Sequence, residues 1–492
     1  MDLAELLAGL TNVPVPHMEV TGLARDSRSV RPGELFVALP GTRHDGAAFA
    51  RQAVTRGAAA VVAERPIPEL SVHGLPVLVV PSAARALGYL ADRWHGSPSR
   101  DVSVIGITGT NGKTTTGFLA QALLDAAGRR SALLGTVCCR VAGEEWKATQ
   151  TTPCVLDTHL ALARAREAGE RHLVMEVSSH ALAQERTAGV RMQVGVFTNL
   201  TQDHLDYHGS IKAYGAAKSR LFEQLGPECT AVLNAGDPFS QTLAARTRAR
   251  VLRYGWVQAP APWPAVEVGA RVEGEDARGT SLRMRLHTPE LTLTVALRVP
   301  LVGRFNVENV LAAASVALAV GASPTRVAAA LPHLPGVPGR LERVPGPPGG
   351  PTVLVDYAHT PDALDRVLAS LRPLVRGRLV VVFGCGGERD RGKRGPMGLA
   401  ALRHSDWAIL TSDNPRGEDP AAIAADVLTA TGKDEVTLEL DREAAIRRAI
   451  REAGPDDVVV VAGKGHETEQ VVAGVRVPFD DREVARAALS RV

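Results

Sequence analysis

Lysine is scarce in this chain. Among 56 basic residues only seven are lysine, at positions 113, 147, 212, 218, 393, 433 and 464, which leaves 49 arginines. Arginine replaces lysine wherever a positive charge or a solvated stem is enough, but not where a compact ammonium or a deprotonatable amine is needed. The lysines that persist are therefore enriched for chemical necessity. Lys113 and Lys464 stand in glycine-rich turns after β-rich runs, and Lys218 in an alanine-rich helical stretch, whereas Lys147, Lys212 and Lys433 fit chance survival. Cysteine is also sparse: five residues, an odd number without CxxC spacing, exclude a disulfide framework and a zinc knuckle and fit reduced thiols in a cytoplasmic enzyme. A formal charge of +3 with no basic block at either end excludes nucleic acid as the expected partner. Residues 1–10 carry Asp2 and Glu5 rather than a basic region, which argues against a secretory signal. The most apolar run, residues 310–322, is too short to span a bilayer and reads as a packed helix, so no membrane is expected. No internal repeat and no low-complexity tract is present.

What is present is organised around residues 104–116, Val-Ile-Gly-Ile-Thr-Gly-Thr-Asn-Gly-Lys-Thr-Thr-Thr. A β-rich run (102–107) leads into a glycine-bearing turn, and residues 114–127 read as a helix. Gly109 and Gly112 let the backbone curl with its N–H groups inward, and the helix dipole adds partial positive charge at the same spot. Lys113 would bridge outer phosphates, and the hydroxyl of Thr114 or Thr115 would hold Mg²⁺. The fit to G-x-x-x-x-G-K-[ST] is incomplete, because Ile107 stands where the first glycine should fall.

At 492 residues the chain is too long for one core, and about three domains follow from ~150 residues each. Residues 1–97 alternate short β-rich runs (34–39, 60–63, 77–80) with helical stretches (47–56, 83–95), a small α/β domain. The second domain spans 98–337. Its helix at 156–168 is followed by strands at 172–177 and 194–198, which end in Glu176-Val177-Ser178-Ser179-His180 and in Asn199 to Asp206. Polar residues at consecutive strand ends are what an open parallel sheet presents to a ligand, so Glu176 and His204 are expected near the phosphate turn, as ligands of a second cation or orienting its water. Residues 266–299 switch to period-two alternation, an antiparallel excursion with turns at Gly274 and at 287–289. Asn306 and Asn309 precede an alanine-rich helix as helix-capping groups or nucleotide contacts. Proline and glycine crowd residues 335–351, which marks the boundary to a third α/β domain, 338–492. Four of its strands end in polar motifs: 356–359, 384–390, 411–416 and 463–467. A second nucleotide site at Gly384 to Gly387 is disfavoured, because the residues that follow are too charged to open a dinucleotide helix.

Together, 109–116, 176–180, 199–206, Asn306 with Asn309, 338–340, 356–361 and 463–467 resemble the Mur ligases over essentially the whole chain. The resemblance implies three α/β domains: an N-terminal UDP-binding domain, a central P-loop parallel-sheet ATPase domain with its antiparallel excursion, and a Rossmann-like C-terminal domain. It implies an ATP-dependent ligase of peptidoglycan precursor synthesis. The motifs at 26–28, 151–153, 384–390 and 413–416 are similar to those of the member that adds a diamino acid to UDP-N-acetylmuramoyl-L-alanyl-D-glutamate through an acyl phosphate. Position by position, Gly109, Thr110, Asn111, Gly112, Lys113, Thr114, Thr115, Asn309 and Arg340 match ATP contacts. Lys218 matches a lysine carbamylated by CO₂ to N6-carboxylysine, which with Thr115, Glu176 and His204 would hold Mg²⁺. Lys113, Glu176, His204 and Lys218 form the expected catalytic set. Ser27, Thr42, Arg43, His44, Thr151, Thr152, Ser178, Gln184 and Arg186 match contacts to the UDP-sugar dipeptide. Arg389, Asp413, Asn414, Pro415, Arg416, Gly463 and Glu467 match the pocket for the incoming amino acid. A guanidinium pair, Arg416 and Arg389, favours meso-diaminopimelate, which has a distal carboxylate, over L-lysine or L-ornithine. A folylpolyglutamate synthase-like ligase is the competing expectation. A cytoplasmic monomer acting on small-molecule substrates, whose last domain closes over the middle one about a hinge at 336–350, completes it.

Overall fold

The computed structural model describes residues 1–41, 45–71 and 75–491. The chain divides into two compact units, Met1–Arg253 with Ser315–Ala322, and Tyr254–Ala314 with Ser323–Val492.

The first unit holds two sheets. Four parallel strands, Gly22–Ala24, Glu34–Val37, Ala60–Ala63 and Val77–Val79, lie in chain order. Ala83–Trp94 packs on them through Leu87 and Leu90, both fully buried, and its N-terminus is capped by the Ser82 hydroxyl. The larger sheet runs Thr230–Asn234, Met192–Phe197, Ser103–Thr108, His172–Glu176, Ser131–Leu134, Cys138–Val141 and Glu144–Lys147. Its first five strands are parallel and almost wholly apolar, as burial on both faces requires. Ser103–Thr108 is therefore a central strand, and the turn after it opens between the ends of its neighbours Met192–Phe197 and His172–Glu176. The edge hairpin Cys138–Lys147 is antiparallel.

In the second unit Val268–Asp276, Gly279–His287 and Thr292–Val299 form the expected antiparallel run. Gly274, expected at a turn, sits inside the first of these strands at a register shift, and the chain reverses after Asp276 instead. The other sheet is mostly parallel, in the order Glu342–Val344, Thr352–Asp356, Val458–Ala462, Leu379–Phe383, Trp407–Leu410, Thr437–Leu438, with only the first strand antiparallel. The motif-bearing loops after 356, 462, 383 and 410 thus leave four adjacent strands at one sheet edge. A separate hairpin, Glu469–Val472 with Val475–Pro478, turns through Ala473 and Gly474, both at positive φ. Cys138, Cys139, Cys229 and Cys385 are buried and all five cysteines are unpaired. Among the described residues no helix is long and apolar enough to cross a membrane.

Candidate functional site

The phosphate turn is built by close backbone approach. Gly109 has φ +152°, and a Cβ there would lie 1.8 Å from Thr198 Oγ1, so only glycine fits between this turn and the end of the neighbouring strand. Gly112, at φ +85°, begins the helix Lys113–Ala126. The 198–201 segment holds the turn: Thr110 N donates to Asn199 O at 2.8 Å, Asn111 N to Asn199 Oδ1 at 3.0 Å, and Thr198 Oγ1 to Asn111 O at 2.6 Å.

Three expected groups meet here. Lys113 Nζ donates to Gly109 O and Thr110 O at 2.9 and 2.8 Å, and Lys218 Nζ donates to the same Gly109 O at 2.7 Å. Lys218 is 1% exposed, and burial, with the nearby Lys113 ammonium, lowers its pKa well below that of an ordinary lysine. Its nitrogen lies 4.2 Å from the centroid of the Tyr214 ring, whose own hydroxyl is pushed up to about 12 by burial. Glu176, also buried, accepts from Thr114 Oγ1 at 3.0 Å, from Thr136 N at 2.7 Å and from Thr136 Oγ1 at 2.9 Å. The Thr114 hydroxyl is thereby committed to Glu176, while Thr115 is buried beside it on the first helical turn. Thr136 went unread in the sequence, although it follows the strand Ser131–Leu134 where such polar residues are informative. His204 is at φ +52° and half exposed, 3.5 Å from Asp203 and with its ring centroid 6.1 Å from that of Tyr214.

The strand His172–Glu176 continues into the dipeptide-contact candidates. Thr152 Oγ1 donates to Glu176 O at 2.9 Å and accepts from Ser178 N at 3.0 Å, and Thr136 Oγ1 reaches Thr151 Oγ1 at 3.1 Å. Ser178 caps the short helix Ser179–Ala183. Arg186 donates to Gln184 Oε1 at 3.0 and 2.6 Å and to the backbone O of Thr152 at 3.3 Å, which ties these candidates together. Ser27 is buried, with its hydroxyl 2.7 Å from Gln52 Oε1. Thr42, Arg43 and His44 lie outside the described residues.

In the second unit Asn309 Nδ2 donates to Asn306 Oδ1 at 3.0 Å, and Asn306 Nδ2 to Val302 O at 2.8 Å, both side chains buried. Asp356 receives Leu341 N and Ala358 N at 2.7 and 2.8 Å, which fixes the turn bearing Arg340, whose guanidinium lies 4.8 Å from the Tyr357 ring centroid. A Cβ on Gly339 would come within 2.2 Å of His466 N, so the 338–340 turn lies directly on the 463–467 loop. The glycines at 384–387 serve packing: a Cβ at Gly384 or Gly387 would strike Thr411 O at 2.4 Å or Pro415 O at 2.0 Å. Removing those Cβ atoms lets the 411–416 loop close on its neighbour. Arg416 and Arg389 both reach Gly386, where a Cβ would be 3.0 Å from Arg416 Nη1 and 3.8 Å from Arg389 Cγ. Arg416 is held at φ +54°, a conformation that costs a non-glycine residue about 1 kcal/mol or more, by Arg416 N to Val471 O at 2.9 Å and Arg416 Nη1 to Gly387 O at 2.6 Å. Asn414 Nδ2 donates to Glu467 Oε2 at 2.9 Å. Asp413 is buried with Oδ1 lacking a partner, and burial raises its pKa. Gly463, at φ +114°, keeps the space beside Asp413 Oδ2, which an added Cβ would approach to 3.2 Å. Pro415 is buried and supplies the carbonyl that Gly387 approaches.

Three family models match in order: Mur ligase family, catalytic domain, over residues 19–95, Mur ligase middle domain over 107–317, and Mur ligase, glutamate ligase domain, over 339–465. A UDP-N-acetylmuramoyl-L-alanyl-D-glutamate--2,6-diaminopimelate ligase from Xanthomonas campestris is 45% identical over 96% of this chain and 94% of its own. The chain belongs to the Mur ligase family. A relative of the same name from Gloeobacter violaceus is 45% identical over 100% of this Mur ligase and 98% of its own length. A solved structure of a ligase of that name superposes with a TM-score of 0.74 at 32% identity, covering 100% of this chain and 99% of the other. MurF from Acinetobacter baumannii, at 21% identity and a TM-score of 0.61 over 93% of this chain and 94% of that one, shares the fold. This Mur ligase has the three-domain α/β architecture of the family and is an ATP-dependent amino-acid ligase.

Proposed function

We propose that this Mur ligase joins meso-diaminopimelate to UDP-N-acetylmuramoyl-L-alanyl-D-glutamate in the cytoplasm, as a monomer, with ATP converted to ADP and phosphate. The domains are taken as 1–97, 98–337 and 338–492. The observation that carries the reading is the 413–416 loop. It sets the Arg416 guanidinium beside Gly386, with the Arg389 side chain passing the same glycine, and the Glu467 carboxylate bound to Asn414, charges of both signs for an amino acid whose far end carries both an ammonium and a carboxylate. Relatives 45% identical over nearly the whole chain, named for 2,6-diaminopimelate, support the same choice.

The D-glutamate carboxylate is a poor electrophile with a poor leaving group, and phosphorylation cures both. One carboxylate oxygen attacks the γ-phosphorus as the bond to ADP breaks. The amine nitrogen of diaminopimelate then attacks the acyl carbon, an amine proton is lost, and phosphate leaves with its bridging oxygen. Residues 109–115, Asn309 and Arg340 bind the nucleotide, and Lys113 neutralises charge where two anions must meet. Ser27, Thr42, Arg43, His44, Thr151, Thr152, Ser178, Gln184 and Arg186 orient the precursor.

Thr115, Glu176, His204 and a carbamylated Lys218 would hold Mg²⁺, which when bound neutralises phosphate charge. The donor set fits. Lys218 is a buried amine beside a second ammonium with no carboxylate bonded to it, so its neutral form, whose lone pair attacks the carbon of CO₂ with loss of one N–H proton, is favoured. The carbamate changes a repelling cation into an oxygen ligand.

The test is a competition: precursor, ATP and Mg²⁺ with equimolar meso-diaminopimelate, L-lysine and L-ornithine, and folate with glutamate as a separate reaction. Product containing diaminopimelate is expected, with none from folate. Preferential incorporation of L-lysine would overturn the amino-acid choice.

A further inference from the structure

Lys464 has no part in the chemistry above, yet it is one of the few lysines retained and it is fully buried. Its ammonium has three donors and three acceptors: Glu469 O at 2.6 Å, Glu467 Oε2 at 3.2 Å and Asn414 Oδ1 at 3.3 Å. An arginine here would present five donors on a planar fork and leave some unpaired in a buried site, whereas the ammonium is matched. Around it the Asn414 carboxamide is determined completely in orientation. Its oxygen accepts from Lys464 and from Val471 N at 2.9 Å, and its nitrogen donates to Glu467 Oε2 at 2.9 Å. One carboxylate oxygen of Glu467 is thus occupied by Lys464 and Asn414, and the side chain remains one-third exposed. The hairpin joins the same cluster, because Gln470 Nε2 donates to Asp413 O at 2.6 Å and Arg416 N to Val471 O at 2.9 Å.

We propose that Lys464 is a positioning residue for amino-acid selection. By holding Oε2 of Glu467 and the oxygen of Asn414, it turns the other carboxylate oxygen, Oε1, toward an incoming ammonium while the hairpin holds Arg416 for the carboxylate. The ligand chemistry is a zwitterionic amino-acid terminus. This role presupposes that the 413–416 loop receives the amino acid, as proposed above.

The experiment is a double-mutant cycle on the full-length enzyme with Lys464→Met, Glu467→Gln and the pair, reading kcat and KM separately for diaminopimelate, ATP and the UDP precursor. Lys464→Met is expected to raise KM for diaminopimelate on the order of tenfold or more, with KM for ATP and precursor changed less than about twofold. The double variant is expected to be no worse than Glu467→Gln alone, since Lys464 acts through that carboxylate. Gln470→Ala, which removes one hairpin tether and no charge, is expected to raise the same KM only a few fold. Additive losses in the cycle, or equal rises in all three KM values, would overturn the role in favour of plain structural support. If Lys464→Met does not fold, Lys464→Gln is read in the same way, and failure of both to fold beside a normal Gln470→Ala also overturns it. Absence of ligation by the wild-type enzyme with diaminopimelate would strike the proposed function instead, which keeps the two failures distinct.

Discussion

Two lysines in this molecule are almost completely buried, and they keep opposite company. Lys464 is surrounded by acceptors, one of them a carboxylate, and each of its N–H bonds has a partner. Lys218 bonds one backbone carbonyl and has an aromatic face and a second ammonium near it, with the Asp203 carboxylate offsetting these only in part and not bonded to it. Burial of a charge is tolerated when it is paired and hydrogen-bonded, and otherwise the group neutralises. The first environment therefore suits a fixed ammonium that orders its neighbours, and the second suits a neutral amine available for reaction. The seven-lysine count identifies both as chemically required, but only their surroundings distinguish a reagent from a brace.

The largest effect expected is on the reagent side. Lys218→Arg keeps a cation and removes the amine that can be carbamylated, so steady-state phosphate release should fall on the order of 10²–10³-fold or more. Bicarbonate should restore little of it. A ¹³C carbamate resonance seen in wild-type enzyme after ¹³C-bicarbonate labelling should be missing from the variant. Near-normal turnover would remove the contrast between the two lysines.

Selection in the second unit ranks next. Arg416→Ala should raise KM for diaminopimelate about 10–100-fold and reduce its advantage over L-lysine in competition, because a bidentate carboxylate contact is lost and the distal carboxylate is left unpaired. Phosphorylation chemistry is not the target of this change, so KM for ATP should hold.

Stability separates the lysines by sign. In carbon-dioxide-depleted buffer Lys464→Met should lower the melting temperature, at a cost of about 1–3 kcal/mol, since it leaves a carboxylate and an amide oxygen without their donor. Lys218→Met should raise it. The folded pKa of Lys218 lies below the unfolded value, so between the two the unfolded chain binds a proton that the folded chain refuses. Folding is therefore penalised at pH values below the usual lysine value and relieved as pH rises toward it. Methionine removes that penalty. Equal shifts of the same sign in differential scanning calorimetry would refute the distinction.

Much of this was readable beforehand, for definite reasons. Glycine, lysine and threonine directly after a strand specify a phosphate turn through local geometry, and four polar motifs at four strand ends do lie side by side on one sheet edge. What stayed hidden depends on contacts across long sequence separations. The glycines at 384–387 read as a weak nucleotide signature, yet their role is to admit the 411–416 loop, a requirement created by a strand about 25 residues on. Thr136 binds Glu176 from 40 residues away. The hairpin at 469–478 had a visible signal in Ala473-Gly474 between valine-rich runs, but nothing local indicates that Val471 holds Asn414 and Arg416. Arg416 at positive φ is likewise set by a tertiary bond, Arg416 N to Val471 O, and not by local preference.

The smallest effect extends the rule for unpaired buried bases from an amine to an imidazole. His172 begins a central strand, is 6% exposed, has a ring nitrogen without a partner, and has Arg129 near it. Burial first, and that guanidinium second, lower its pKa from 6.5 to about 4. The folded value is below the unfolded one, so stability is unaffected at pH 7 and declines as pH falls through 6.5, where the unfolded chain takes up a proton that the folded chain accepts only near pH 4. About 1–2 kcal/mol should be lost from this group by pH 5. His172→Gln, which cannot titrate, should flatten that part of the stability curve in urea titrations at pH 7, 6 and 5, whatever its constant offset. An unchanged slope would mean that the imidazole finds a partner when protonated, and that burial without a counter-charge governs Lys218 alone.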